Sequence, residues 1–190
     1  MSKKPKVRPA PKNSVTLGIG IDSAMWTRAL PNVQSICRRA ALAALVSAPR
    51  VKAAEVNILL TTDAAQKKLN ATFRGKDKST NVLSFPALDP SERALLPKGM
   101  ALPLGDISVA YGVTAREAKA ENKSLKAHLS HLVVHGVLHL LGYDHEHDDD
   151  AATMERRETK ILAGLGIPDP YAPLPEPARR EPKKPRKKRP

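Results

Sequence analysis

The stretch His135-Gly136-Val137-Leu138-His139-Leu140-Leu141-Gly142-Tyr143-Asp144-His145 carries three of the six histidines of this 190-residue chain, at spacing H-x3-H-x5-H. Residues 128–141 are helix-compatible without a break, and a helix over them places His135 and His139 one turn apart on one face. Two imidazoles then point at one spot. Gly142 can end that helix in a left-handed conformation closed to most residues, so the chain can fold back and bring His145 towards the other two. Three neutral nitrogen donors converging from a helix and the turn behind it make a catalytic-type zinc site, with a fourth position open to water or substrate. Apart from its histidines the helix is apolar nearly all round, which predicts a place inside the domain.

The spacing also fits the metzincin peptidase pattern H-E-x-x-H-x-x-G-x-x-H, including the glycine three residues after the second histidine. The glutamate that serves those peptidases as general base is Gly136 here, so the metal-binding half of the motif is present and its proteolytic half is absent. A buried helix with incidental histidines is the plain alternative, and the spacing together with the glycine at the bend weighs against it.

Outward from this stretch the chain reads as an α+β domain, a small mixed β-sheet packed with helices and a zincin-like metal-site helix in its core. Residues 14–21 alternate as a strand does, and Val33, Ile36, Cys37, Ala40, Ala41, Ala44 and Leu45 recur at helical spacing over 32–47, before Pro49. A buried strand is predicted over 54–60, then a helix over 63–72 with Thr62 as its cap. Strands follow at 81–85 and 104–110, with 86–103 as a long surface connection. A helix over 113–122, the histidine helix and a last helix over 149–165, with Met154, Ile161, Leu162 and Leu165 on one side, complete the domain by Tyr171.

The formal charge is +13, and its location matters more than its size. Residues 1–13 hold five basic residues and no acid, and 173–190 hold eight basic residues and two acids. Of the 32 basic and 19 acidic residues, 19 and 17 therefore fall between, so the body is nearly neutral. Both ends are proline-rich and poor in large apolar residues, which predicts a disordered basic arm over 1–13 and a disordered Pro/Lys/Arg-rich tail over 172–190, flanking a catalytic domain at 14–171. Such arms suit a polyanion bound with strong salt dependence; the plain alternative is a solubilising tail. One cysteine, Cys37, excludes an intramolecular disulfide, and no signal peptide or membrane-length apolar run is visible, so a cytoplasmic protein is expected.

A second constellation lies upstream in Phe73-Arg74-Gly75-Lys76-Asp77-Lys78-Ser79-Thr80-Asn81-Val82-Leu83-Ser84-Phe85-Pro86. A guanidinium in a loop beside a buried sheet can clamp phosphate in bidentate fashion. A solvated basic turn explains this stretch, taken alone, just as simply.

Together, HGVLHLLGYDH at 135–145, FRGKDKSTNVLSFP at 73–86 and LGDIS at 104–108 resemble the YbeY family of bacterial metal-dependent endoribonucleases. The helix with Met154, Glu155 and Glu158 and the closing Gly166-Ile167-Pro168-Asp169-Pro170-Tyr171 are similar too, so the resemblance spans about residues 14–171. Ser79 stands where the family pattern commonly has proline. The resemblance implies one zinc ion held by His135, His139 and His145 and an essential arginine at Arg74; Lys76 and Lys78, in the same cation-rich stretch, are expected to contact RNA. It also implies single-strand-specific RNA cleavage in 16S rRNA 3′-end maturation and late ribosome quality control, with rRNA and the small ribosomal subunit as partners. Composition and spacing do not themselves point to RNA.

In such a site the metal would polarise a phosphoryl oxygen or acidify water, and Arg74 would stabilise the charge that develops. Asp144 is the nearest candidate base, although a carboxylate beside His145 also suits orienting a ligand or capping the turn. His128 and His131 read as polar residues at the cleft mouth, and Asp148, Asp149 and Asp150 as the acidic start of a helix rather than, with His147, a second metal site. Aromatics are too few for a stacking platform, so backbone contacts should dominate RNA binding. Two other functions compete: a zincin-like peptidase, and a ribosome-associated binding module whose zinc is structural.

Overall fold

The computed structural model describes residues 14–48, 51, 53–97, 100–145 and 148–172. The expected disordered arm at 1–13, and the tail from 173 onward, lie outside the described residues. The chain runs β1 (Val15–Ile21), α1 (Ala24–Ala29), α2 (Val33–Val46), β2 (Ala54–Thr61), α3 (Asp63–Arg74) and β3 (Val82–Pro86). It continues through α4 (Pro90–Ala94), β4 (Leu102–Ala110), α5 (Tyr111–Ala120), α6 (Leu125–Leu140) and α7 (Asp148–Gly164).

The expected α+β class, with its small mixed sheet, is what the fold has. Strand order is β1-β2-β4-β3, with β1 parallel to β2, β2 parallel to β4 and β3 antiparallel to β4. Strict alternation along β2, where Ala54, Val56, Ile58 and Leu60 are buried, gives the sheet one face for the main core. Along β4, Ile107 points to α6 while Ser108 points to α3, donating its hydroxyl to Gln66 Oε1 at 2.6 Å. The two faces thus carry different helices, and the histidine helix packs on the apolar one.

Burial of α6 follows from its composition. Leu129, Leu132, Val133, Val134, Val137, Leu138 and Leu140 are all buried, and together they leave no wide polar face. Ser124 caps the helix by accepting from the Ala127 N–H at 3.1 Å, so it begins at Leu125, three residues earlier than expected. Helix α3 runs two residues past its expected end because Gly75, at φ 66°, supplies the left-handed stop only there.

Two short helices were not expected. Helix α1 is too short for a periodic signal, and it is fixed by Trp26, which is fully buried, donates Nε1–H to the Thr61 carbonyl at 3.3 Å and meets the Tyr111 ring edge-on at 5.1 Å. Helix α4 interrupts the connection at 86–103, with the Asp89 N–H donating to Glu92 Oε2 at 2.8 Å.

Cys37 is fully buried in α2, and burial pushes its thiol up to about 12 despite a backbone hydrogen bond. Folded protein is therefore expected to leave a thiol-reactive disulfide dye unconsumed while urea-unfolded protein reacts at once. Fast reaction in native buffer would contradict the packing of α2.

Candidate metal centre

The histidine cluster is assembled by the end of α6. Leu141 closes the helix, and Gly142, at φ 94°, turns the chain back. The Tyr143 N–H then donates to the Leu138 carbonyl at 3.0 Å and the Gly142 N–H to the His139 carbonyl at 2.9 Å, the paired bonds of a Schellman motif. From α4, the Arg93 guanidinium donates to the Leu140 carbonyl at 2.9 Å and satisfies another free end of the helix. Asp144 completes the turn by accepting from the His145 N–H at 2.7 Å. A side chain on the reversing segment is thereby set against two on the helix.

Potential ligand atoms of His135, His139 and His145 lie within 4.8 Å of one another. Ring centroids are 4.5 Å apart for His135 and His139, 4.9 Å for His139 and His145 and 5.6 Å for His135 and His145. Nε2 of His135 and Nε2 of His139 face each other at 3.0 Å. Two nitrogens bound tetrahedrally to one zinc stand about 3.3 Å apart, so the donor set fits that ion with small side-chain adjustment. Burial pulls the His139 pKa down to about 4, helped by the charges of His135 and His145 and opposed by Asp144. At neutral pH His139 is therefore an uncharged imidazole with a lone pair to give.

Glu158 of α7 is the residue that sequence reasoning missed as part of the site. It is fully buried, and it accepts from His135 Nδ1 at 2.8 Å, from His131 Nε2 at 2.8 Å and from the Tyr171 hydroxyl. Burial alone would raise its pKa, but the bonds from His131, His135 and Tyr171 outweigh it and hold the carboxyl at about 2. The proton of His135 is thus fixed on Nδ1, which leaves Nε2 bare and turned to the cluster. One of two glutamates in α7, Glu158 is signalled in the sequence only by its place in the family resemblance and by its fall on the same helix face as Met154, Ile161 and Leu162.

A second group of metal-capable atoms, from His131, His135 and Glu158, shares one residue with the first. There the Glu158 oxygens already accept three hydrogen bonds, so that group is a closed network. The three-histidine group keeps its donors available. His128, expected at the cleft mouth, is only 4% exposed, lines the hollow beside the cluster together with His131, and is bonded through Nε2 to Glu117 Oε2 of α5 at 2.9 Å. Asp149 and Asp150 are exposed in the first turn of α7, and His147 lies outside the described residues.

Arg74 is not in a loop as expected but is the last residue of α3, exposed and without a hydrogen bond or ion pair among the described residues. Its neighbour Phe73 meets Phe85 of β3 edge-on at 5.0 Å, which ties this helix end to the sheet. Lys76 and Lys78 are exposed in the following turn, where Asn70 Nδ2 donates to the Lys78 carbonyl at 2.7 Å. Structure therefore brings the three histidines together and leaves Arg74, Lys76 and Lys78 exposed at the end of α3 and in the turn after it.

Gly136 has a packing reason. A Cβ there would stand 3.0 Å and 3.1 Å from Ile107 Cδ1 and Cγ2 and 3.1 Å from Ser84 Oγ, so the position faces the sheet. Gly136→Glu is expected to lose more than the roughly 1–3 kcal/mol typical of overpacking, because a charge is buried as well, and to gain no casein cleavage. Thermal unfolding and a casein assay check this; a stable, proteolytic variant would contradict it.

A family model described as endoribonuclease YbeY matches residues 22–166. The chain belongs to the endoribonuclease YbeY family. Among relatives of that description, one from Bradyrhizobium diazoefficiens is 53% identical over 151 residues, spanning 79% of this chain and 81% of its own. Another, from Paramagnetospirillum magneticum, is 48% identical over 162 residues, spanning 83% of this chain and 98% of its own. The solution structure of TM1509 from Thermotoga maritima, 24% identical, covers 87% of this chain and 100% of its own with a TM-score of 0.51, a likeness of fold. Among the described residues no helix is long and apolar enough to cross a membrane.

Proposed function

We propose that this YbeY-family chain is a zinc-dependent, single-strand-specific endoribonuclease acting in 16S rRNA 3′-end maturation and late quality control of the small ribosomal subunit, in the cytoplasm. Family membership makes it an RNA-cleaving hydrolase. One observation supports the zinc reading most: three imidazoles within ligand reach of one another, one of them locked in the ligating tautomer by a buried carboxylate. His135, His139 and His145 would hold the ion, and residues 14–171 would form the catalytic unit.

A zinc ion held by three uncharged ligands keeps its full charge and supplies a Lewis acid for a phosphoryl oxygen or water. Glu158 orients His135, and Asp144 holds the turn that presents His145. Arg74 offers its exposed guanidinium to phosphate, with Lys76 and Lys78 tracking the strand beside it. The basic stretches before residue 14 and after residue 171 add affinity for long RNA by neutralising phosphates.

Zinc-loaded protein is expected to cut a labelled single strand, spare a duplex and lose cleavage in a His139→Ala preparation purified identically; equal cleavage by both preparations would sink the proposal. Arg74→Lys should lose most of the activity with zinc content unchanged, because a point charge replaces a bidentate fork. Full activity in that variant would remove Arg74 from the phosphate.

A further inference from the structure

Next to the histidine cluster lies a hollow of about 450 Å³, with His135 and His131 on one wall and Asn81, Glu117, Glu121 and Tyr171 around it. The rings of His131 and His135 are 6.2 Å apart, so a strand whose phosphate is held at the cluster has an adjoining nucleotide beside the hollow. Of the charged groups in its wall, Lys123 is paired with Glu121 and Glu117 stays as a carboxylate, so among the described residues no free cation is offered to phosphate and a base is the part of that nucleotide that suits the hollow.

Glu117 is held in place as an acceptor. Its Oε2 receives Asn81 Nδ2–H at 3.0 Å and His128 Nε2–H at 2.9 Å, while Oε1 has no hydrogen bond among the described residues. One turn on, Glu121 is bonded by Lys123 Nζ at 2.5 Å, which lowers its pKa and keeps it ionised. Lys123 also donates to the Pro170 carbonyl at 2.6 Å, fixing the segment that carries Tyr171. Nδ1 of His128, a residue 4% exposed, and Nδ1 of His131 have no partner among the described residues. Leu132 and the Tyr171 ring add apolar surface against which a flat base can lie.

A carboxylate only accepts hydrogen bonds. Guanine alone among the four bases presents two adjacent donors, N1–H and N2–H, on its Watson–Crick edge, and both can converge on Glu117 Oε1, the oxygen that the Asn81 and His128 bonds leave open. Adenine and cytosine set a ring acceptor beside their amino group, and uracil flanks its single N–H with two carbonyls that a carboxylate repels.

We infer that this hollow is a one-base subsite that selects guanine in the strand bound at the histidine cluster. The inference rests on the RNA-cleaving reading above and narrows the substrate. It also revises the expectation of sequence-blind binding, since one tyrosine and one oriented carboxylate suffice for one base.

Zinc-loaded wild-type protein would be given short single strands of uridine carrying one guanosine. Cleavage is expected at a fixed offset from the guanosine, about tenfold faster than in all-uridine strands, as expected of one well-made pair of base contacts. In Glu117→Gln the preference should vanish with zinc content unchanged. Cuts indifferent to guanosine in wild-type protein, or an equal loss on all strands in the variant, would overturn the subsite. If no strand is cut, fluorescence anisotropy on the same strands separates the two readings. About tenfold tighter binding of the guanosine strand, lost in Glu117→Gln, would retain the subsite and fail the nuclease reading, whereas equal binding would overturn the subsite. Should Glu117→Gln not fold, the wild-type comparison decides alone.

Discussion

His139→Ala is expected to weaken zinc binding by well over the roughly 10–100-fold that loss of a partner behind a ligand costs, since it removes a ligand itself. His139 is the central donor of the three, with the shortest ring separations to both others. Burial already keeps it uncharged, so no proton competes for its lone pair at neutral pH. The residue lies in the last turn of α6, beyond most of the core contacts of that helix, and helix content should stay as in the parent. Competition for zinc against a chromophoric chelator, beside a circular dichroism spectrum, measures both. Unchanged affinity would mean that the ion binds elsewhere.

Glu158→Ala is expected to damage stability and metal binding together. Removal of the buried carboxylate leaves His131 Nε2, His135 Nδ1 and the Tyr171 hydroxyl without their acceptor. Breaking such a buried network costs about 3–5 kcal/mol. For a chain of this size that is a fall of about 6–20 °C in Tm, read by calorimetry on the metal-free protein. Zinc affinity should drop by roughly 10–100-fold, because His135 no longer has its proton fixed on Nδ1. The pH dependence has a definite sign. The carboxyl titrates at about 2 in the folded chain against 4.5 ordinarily, so its stabilisation is complete above pH 4.5 and fades as pH falls towards 2. Glu158→Ala should lack that part of the acid-unfolding profile. A variant with parental Tm and parental zinc affinity would show that the network is dispensable.

Local signals were legible where one element carries its own reason. The alternation of β1, the buried run of β2, the periodicity of α2, the Thr62 cap and the Gly142 reversal all follow from residue types within a few positions. The three histidines belong to this class, because helix geometry and one glycine suffice to bring them together. What was not legible depends on partners distant in sequence. Trp26 makes α1 a helix by finding Thr61 and Tyr111. Glu158 becomes part of the site only once α7 packs on α6, and His128 is bonded only once Glu117 of α5 stands beside it. Gly136 read as a missing catalytic residue, whereas Ile107 and Ser84 of two strands decide it by proximity.

The most direct test of the account is metal removal and return. Protein stripped by a chelator and dialysed should fail to cut labelled single-stranded RNA, and one equivalent of zinc should restore cleavage to wild-type protein but not to His139→Ala, with a duplex of the same sequence left intact throughout. Cleavage that survives stripping, or that zinc restores equally to both proteins, would contradict a three-histidine zinc centre as the seat of the chemistry.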